Sequence, residues 1–421
     1  MLAAPPLAER QRLVDWYRRN RARSAEIFAL VDESAYYSRP IALRHPFAFY
    51  EGHLPAFSFL TLNERALHET PLDARLEKVF ERGIDPGDSA AAARFERHDW
   101  PSKAEIVAFG HGCDERVVAA LRNAALVDDR NPRLVRAQAA YTILEHEMMH
   151  HETLLYIIAR LDESQKRKLP QEHRDTPPPV NEFREVPRGV ATLGAVPGEI
   201  PFGWDNEFGR TRVEVDGFTL QRYPVTNGDY LAFVEAGASP PPFWERRDGT
   251  WCLRGQFERL PFAKSWPVYV SHREASAYAA WIGSRLPTEA EFHRAAFGTP
   301  AGDERAFPWG EDAPSPRFGN FGFARYDPEP VDAHPLGASA WDILDLIGNG
   351  WEWTSTVFGP FDGFEAMASY PQYSADFFDG KHFVMKGASP VTAVELIRRS
   401  FRNWFYDDYP HMYAKFRCIG S

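Results

Sequence analysis

Seven consecutive residues, His146-Glu147-Met148-Met149-His150-His151-Glu152, hold three histidines and two glutamates. If the stretch is helical, positions four apart lie on one face, so His146 and His150 point into one pocket. Two imidazoles held that way are half of a transition-metal site, suited to iron, zinc, copper or nickel. The same letters satisfy H-E-x-x-H, in which Glu147 would be the base of a zinc hydrolase. Spacing supplies no third ligand, and His151 is too close to the pair to serve the zinc pattern.

The elements that must carry these groups follow from hydrophobic periodicity. Residues 9–31 repeat apolar positions at helical spacing (Leu13, Trp16, Tyr17, then Ile27, Phe28, Leu30), and 115–125 and 132–161 read as further helices. In the last, Ile143, Leu144, Leu154, Leu155, Ile157, Ile158 and Leu161 form a core-facing stripe interrupted by the histidines. A helical bundle fits, and bundles build metal sites from inward-facing side chains. Residues 163–181 are charged and proline-rich and read as an exposed linker. Beyond them come short strands (within 188–194, 211–226 and 381–390), many turns, and two helices near 226–236 and 272–283. The expectation is an α+β chain of two domains: a bundle over 1–165, a linker at 166–182, and a second domain over 183–421.

The totals agree. A chain of 421 residues exceeds what one core comfortably fills. A net charge of −11 argues against nucleic acid or an anionic membrane as partner. The three cysteines (Cys113, Cys252, Cys418) are widely spaced, which fits a reducing, cytoplasmic compartment. The N-terminus offers no apolar core for a signal peptide, and no membrane span is expected.

Five segments carry a resemblance: Tyr223-Pro-Val-Thr-Asn227, Trp266-Pro-Val268, Arg285-Leu-Pro-Thr-Glu-Ala-Glu291, Phe307-Pro-Trp-Gly-Glu311 and Gly348-Asn-Gly-Trp-Glu-Trp-Thr354. In this order they resemble the formylglycine-generating-enzyme-type (sulfatase-modifying-factor) fold, itself similar to C-type lectins. The first half, with H-x-x-x-H-x-E at His146, His150 and Glu152, resembles a DinB-like four-helix bundle. The combination resembles the nonheme iron sulfoxide synthases of ergothioneine and ovothiol biosynthesis and their relative, selenoneine synthase.

The resemblance implies an oxidoreductase using Fe(II) and O2, with hercynine as one substrate. It implies three histidine ligands: His146, His150, and His53 from Phe49-Tyr-Glu-Gly-His53. The residues alone do not separate His53 from His45. Asn403 and Trp404, in Ser400-Phe-Arg-Asn-Trp404, match positions that hold the betaine, and an aromatic face attracts its quaternary ammonium. Tyr370, in Tyr370-Pro-Gln-Tyr373, matches a proton or hydrogen donor, with Tyr373 as a substrate neighbour. Formylglycine generation itself is not implied, because Cys252 and Cys418 do not sit where that chemistry keeps its cysteine pair.

Departures from the family pattern concern the second substrate. Met149 stands where ergothioneine synthases commonly have Gln. Phe405 and Tyr409 stand where γ-glutamylcysteine users keep Asp and Arg, and Arg-Gly-Gly-Ser-Trp is replaced by Lys386-Gly-Ala-Ser-Pro390. The stretch His45-Pro-Phe-Ala-Phe-Tyr-Glu-Gly-His-Leu-Pro-Ala56 is most similar to selenoneine synthases. The expected reaction joins C2 of the hercynine imidazole to a selenosugar, giving selenoneine. Asp407, Asp408 or nearby tyrosines would meet the sugar hydroxyls. The alternative is ergothioneine-type coupling to cysteine or another thiol.

Overall fold

The computed structural model describes residues 7–81 and 99–420. The chain forms two compact units. One comprises Met1–Leu169 with Met367–Pro371, the other Pro170–Ala366 with Gln372–Ser421.

The first unit is helical: α1 (Leu7–Phe28), α2 (Phe47–Ser58), α3 (Ala74–Phe80), α4 (Lys103–Asn123) and α5 (Gln138–Ala159). α2 continues into a π-helical stretch, Phe59–Ala66, closed by Leu67 N–H donating to the Leu62 carbonyl at 3.0 Å. Periodicity did not reveal α2, because it is buried on nearly every side and so lacks a polar face. α4 starts well before residue 115, where its apolar repeat was expected to begin. Ser102 caps it by accepting from Glu105 N–H, and Ile106, Phe109, Cys113, Val117 and Leu121 are its buried stripe. Glycines at 110 and 112 mask that stripe in the sequence. Gly110 lets α4 approach α2 closely, since a Cβ there would lie 3.2 Å from Pro55. α5 begins at 138 rather than 132 because Arg136 and Ala137 are left-handed, with φ of 55° and 58°. α5 packs against α1 and against α2.

The second unit is strand-rich: β1 (Phe183–Val186), β2 (Gly189–Leu193), β3 (Thr211–Val215), β4 (Phe218–Gln221), β5 (Trp244–Arg247), β6 (Thr250–Arg254), β7 (Arg259–Pro261), β8 (Gly350–Val357), β9 (His382–Ala388), β10 (Asn403–Tyr406) and β11 (Ala414–Lys415). β1 pairs with β4, β2 with β3, and β5-β6-β7 form a meander. The largest sheet runs β10-β9-β8-β11, antiparallel except for the parallel β8/β11 edge. Three helices accompany them: α6 (Asn227–Glu235), α7 (His272–Trp281) and α8 (Glu289–Phe297). Each opens with a reciprocal cap, Thr226 with Asp229, Ser271 with Glu274, and Thr288 with Glu291. The last of these lies inside a landmark segment, and periodicity missed it because seven of its nine residues are buried, Glu289, His293 and Arg294 among them, so its polar residues do not mark an exposed face. Phe292, Ala295, Ala296 and Phe297 of α8 share a core with Leu346, Ile347 and Ala388.

Several landmarks hold the fold together. Glu289 accepts from Arg402 Nε and Nη2 at 3.0 and 3.1 Å, both side chains buried. Glu352 accepts from Arg417 at 2.6 and 3.0 Å. Trp309 lies between Phe307 and Phe318, with ring centroids 5.1 and 4.7 Å away. Among the described residues, no helix is long and apolar enough to cross a membrane.

Candidate metal centre

His146 and His150 lie one turn apart on α5, and their Nε2 atoms face each other at 3.2 Å. His53 comes from the middle of α2, with its ring centroid 5.3 Å from each of them. The three residues offer ring nitrogens that all lie within 4.8 Å of one another, and among the described residues they are the one cluster of metal-ligand type.

Local chemistry makes these nitrogens lone-pair donors. His53 Nδ1 lies 2.7 Å from the Phe80 carbonyl oxygen. A carbonyl can only accept, so Nδ1 carries the proton and Nε2 keeps its lone pair. Gly52 allows this contact: a Cβ there would fall 2.6 Å from the Phe80 ring. Burial pushes His53 down to about 4, with the Phe80 bond opposing it. Burial also holds His146 and His150 well below the usual imidazole range, reinforced by neighbouring imidazoles and, for His150, by Arg44. All three are neutral near pH 7, the form that binds a metal.

The arrangement fits a metal ion. Two nitrogens bound at about 2.1 Å and a right angle to one ion would be about 3.0 Å apart, close to the 3.2 Å observed. A set of three imidazoles suits iron, zinc, copper or nickel and leaves coordination positions open for other ligands.

Tyr370 belongs to the same unit. Its ring centroid is 6.1 Å from that of His146 and 5.2 Å from that of Phe57. Phe57 in turn stacks on His146 at 3.5 Å. The short segment bearing Tyr370 is pinned to α5: Ser369 Oγ and Thr142 Oγ1 are 2.8 Å apart, and Ser369 N–H donates to Gln138 Oε1 at 3.1 Å. Sequence reasoning missed Phe57 and the Phe80 carbonyl. Phe57 follows His53 by four positions and so shares its helix face; nothing in the sequence marks the carbonyl.

Glu147 does not act as the zinc-hydrolase pattern requires. Its Oε1 accepts from Arg21 Nη1 at 2.8 Å and from Ser24 Oγ at 2.6 Å, both on α1. His151 also faces α1, its Nε2 being 2.9 Å from Ser24 Oγ. His45 stands outside the cluster and stacks on Phe49 at 4.1 Å.

In the second unit, Trp404 stacks on Phe358 at 4.2 Å and meets the edge of Tyr373 at 5.2 Å. Tyr373 stacks on Trp204 at 3.8 Å. Asn403 uses Oδ1 to accept from Trp404 N–H at 2.9 Å. The preceding residues are locked by buried carboxylates, Arg402 by Glu289 and both Arg398 and Ser400 by Glu207. Phe405 and Tyr409 stack on each other at 4.9 Å. Asp407 and Asp408, expected to meet sugar hydroxyls, both ion-pair with Arg273, at 3.0 and 3.5 Å.

Residues 168–421 match the sulfatase-modifying factor enzyme 1-like domain family, and residues 17–154 match the DinB superfamily. Hercynine oxygenase of Mycolicibacterium thermoresistibile is 34% identical over 336 residues, covering 70% of this chain and 71% of that protein. The chain belongs to the ergothioneine/hercynine oxygenase family. Hercynine oxygenase of Mycobacterium tuberculosis is 37% identical, over 52% of this chain and 55% of that protein. Ergothioneine biosynthesis protein 1 of Neurospora crassa is 28% identical, over 90% of this chain and 54% of that protein. The match thus spans little more than half the length of these last two relatives. The hercynine oxygenase family pattern accounts for the fold: a DinB-like helical domain, here bearing the three histidines, followed by a sulfatase-modifying-factor-type domain bearing the five landmarks.

Proposed function

We propose that the chain is an Fe(II)- and O2-dependent oxidoreductase acting on hercynine, with His53, His146 and His150 as the iron ligands. The observation that carries this reading is the convergence of three neutral imidazoles, His53 and His146 buried and His150 partly buried. The activity for which the first relative is named, hercynine oxygenase, supports the substrate, as does the kinship with ergothioneine biosynthesis protein 1. The domain boundaries go with it: a bundle over 1–165, a linker over 166–182 and a second domain over 183–421.

His53, His146 and His150 would hold the iron, which when bound would supply O2 activation. The protein does the rest. His53, fixed by Phe80, keeps one nitrogen directed at the site and the other occupied. Phe57 covers one face of His146 and keeps water from it. Tyr370 offers a phenolic O–H as proton or hydrogen donor. Asn403, Trp404 and Tyr373 hold the betaine, with the ammonium against aromatic faces.

The proposed donor is a selenosugar, R–SeH. Hercynine C2–H, R–SeH and O2 give a C2–Se(O)–R selenoxide and water. One oxygen atom stays on selenium, and the other leaves with the two displaced hydrogens. Selenoneine follows once two thiols reduce the selenoxide, giving a disulfide and water, and water then cleaves the sugar–selenium bond to release the free sugar. The stacked Phe405–Tyr409 pair supports this donor, because it puts apolar rings where a charged dipeptide would need counter-charges. Asp407 and Asp408, already paired with Arg273, leave the aromatic groups as the better match to a sugar's C–H faces. A second reading, coupling of hercynine to cysteine or another thiol, is favoured by the names of the relatives.

The test is aerobic incubation of the iron-loaded protein with hercynine and equal concentrations of a 1-selenosugar, γ-glutamylcysteine and cysteine, read by mass spectrometry. A dominant carbon–selenium adduct is expected. Preference for either thiol would replace the selenium reading with the ergothioneine-type one, and no adduct with any donor would reject both.

A further inference from the structure

α5 carries two pairs of residues at i, i+4 spacing. One pair is His146 and His150; the other, shifted by one residue and hence by about 100° around the axis, is Glu147 and His151. The first pair turns towards His53 on α2. The second turns towards α1, where it meets a set of polar residues inside an otherwise apolar interface.

Those residues form successive rungs. Asn20 Nδ2 donates to the Leu144 carbonyl at 2.8 Å. Arg21 Nη1 and Ser24 Oγ both donate to Glu147 Oε1, at 2.8 and 2.6 Å. Ser24 Oγ also lies 2.9 Å from His151 Nε2. Arg21 reaches a third helix as well: its Nε donates to Asp114 Oδ1 on α4 at 2.9 Å, and Tyr17 O–H donates to the same oxygen at 2.6 Å. Ser24, Glu147 and His151 are all buried.

Apolar contacts are non-directional and would let α5 turn or slide on α1 at small cost. Hydrogen bonds are directional, and a buried carboxylate stripped of its partners is strongly disfavoured. Rotating α5 by one residue position would bury Glu147 without Arg21 and Ser24 and would swing His146 and His150 away from His53. A slide of one turn, about 5.4 Å, would break every rung.

We propose that Arg21 and Ser24 are positioning residues for the metal centre: through Glu147 and His151 they fix the rotation of α5 that brings His146 and His150 to His53. This rests on the reading of the three histidines as metal ligands. Arg21 and Ser24 touch neither metal nor substrate, and act only through the helix that bears two of the ligands.

The test compares wild type, Arg21→Met, Arg21→Lys and Ser24→Ala, with His146→Ala as control. Fe(II) affinity is measured by anaerobic titration, and ligand geometry by electron paramagnetic resonance of the Fe(II)–nitric oxide adduct. Removing a residue that orients metal ligands typically weakens binding about 10- to 100-fold. Arg21→Met and Ser24→Ala are each expected to fall in that range with an altered adduct spectrum. Arg21→Lys, which retains a donor for Glu147, should recover part of the loss. Wild-type affinity and spectrum in folded Arg21→Met or Ser24→Ala, even with a lower melting temperature, would overturn the positioning role. Should Arg21→Met fail to fold, Ser24→Ala, which removes only a hydroxyl, decides the matter. Undiminished iron binding by His146→Ala would instead overturn the ligand assignment, and the positioning role with it.

Discussion

The ring of Phe80 packs so close to Gly52 that a Cβ there would come within 2.6 Å of it, and the carbonyl of the same phenylalanine accepts from His53 Nδ1 at 2.7 Å. One residue thus needs the glycine and orients the histidine beside it. The Gly-His pair in α2 works as a unit.

Gly52→Ala should therefore act on both stability and metal. Phe80 is fully buried and cannot swing aside, so the added methyl overpacks the core at a cost of about 1–3 kcal/mol. Movement of Phe80 also disturbs the bond that fixes His53. The melting temperature should fall, and the iron content of the surviving folded protein should fall with it. Full iron occupancy in a destabilised Gly52→Ala protein would separate the packing role of Phe80 from its role towards His53.

Tyr370→Phe deletes a hydroxyl and keeps the ring that packs on Phe57. Iron content and hercynine affinity should stay near wild type, while adduct formation falls by at least about 100-fold, the low end of what a positioned proton donor contributes. Oxidised donor without carbon–selenium or carbon–sulfur bond formation is the expected diversion. A wild-type rate would move the role to another group.

Trp404 presents one face to Phe358 and lies against Tyr373, so its ring is held rigidly. Loss of a desolvated cation–π contact costs about 1–2 kcal/mol, so Trp404→Ala should weaken hercynine binding by roughly five- to thirty-fold. Calorimetry on the anaerobic protein measures this directly. Unchanged affinity would leave Trp404 with a packing role only.

His272 gives a pH dependence in the second unit. Burial lowers it to about 4, opposed by its bond to the Thr354 carbonyl and by Asp407. Unfolded, it would take up a proton near 6.5. Between these values the unfolded chain binds more protons, so the contribution to stability is complete above about 6.5 and is lost as pH falls towards 4. The slope is at most about 1.4 kcal/mol per pH unit for one such group. His272→Phe, which can still stack on Phe383, should lower stability at neutral pH but show a shallower loss between pH 6.5 and 4 in urea unfolding. An unchanged slope would mean that another group carries the acid sensitivity.

How much was legible follows from the range of the interactions. The His146/His150 pair could be read directly, because four-residue spacing and helical geometry are local properties of the chain. The two-domain, α+β character was equally visible in the change from 3.6-residue periodicity to short strands and turns. α2 and α8 were not visible: each is buried on nearly every side, and in α8 the buried residues include Glu289, His293 and Arg294.

By itself the sequence determined that two imidazoles share a helix face and that a glutamate and a third histidine follow directly behind them. Which of those groups face one another was decided by tertiary structure. Glu147 sits one residue from a member of the histidine pair, yet the packing of α5 between α1 and α2 sends it to Arg21 and Ser24. His45 and His53 looked alike as letters, and only the second finds the Phe80 carbonyl and the other two rings. Tyr370 comes beside His146 through Ser369 and Thr142, which are 227 positions apart in sequence. Spacing along the chain reports neighbours within one element. Contacts between elements depend on the rotation and register at which they pack, and these are set by the fit of side chains that the linear sequence does not pair.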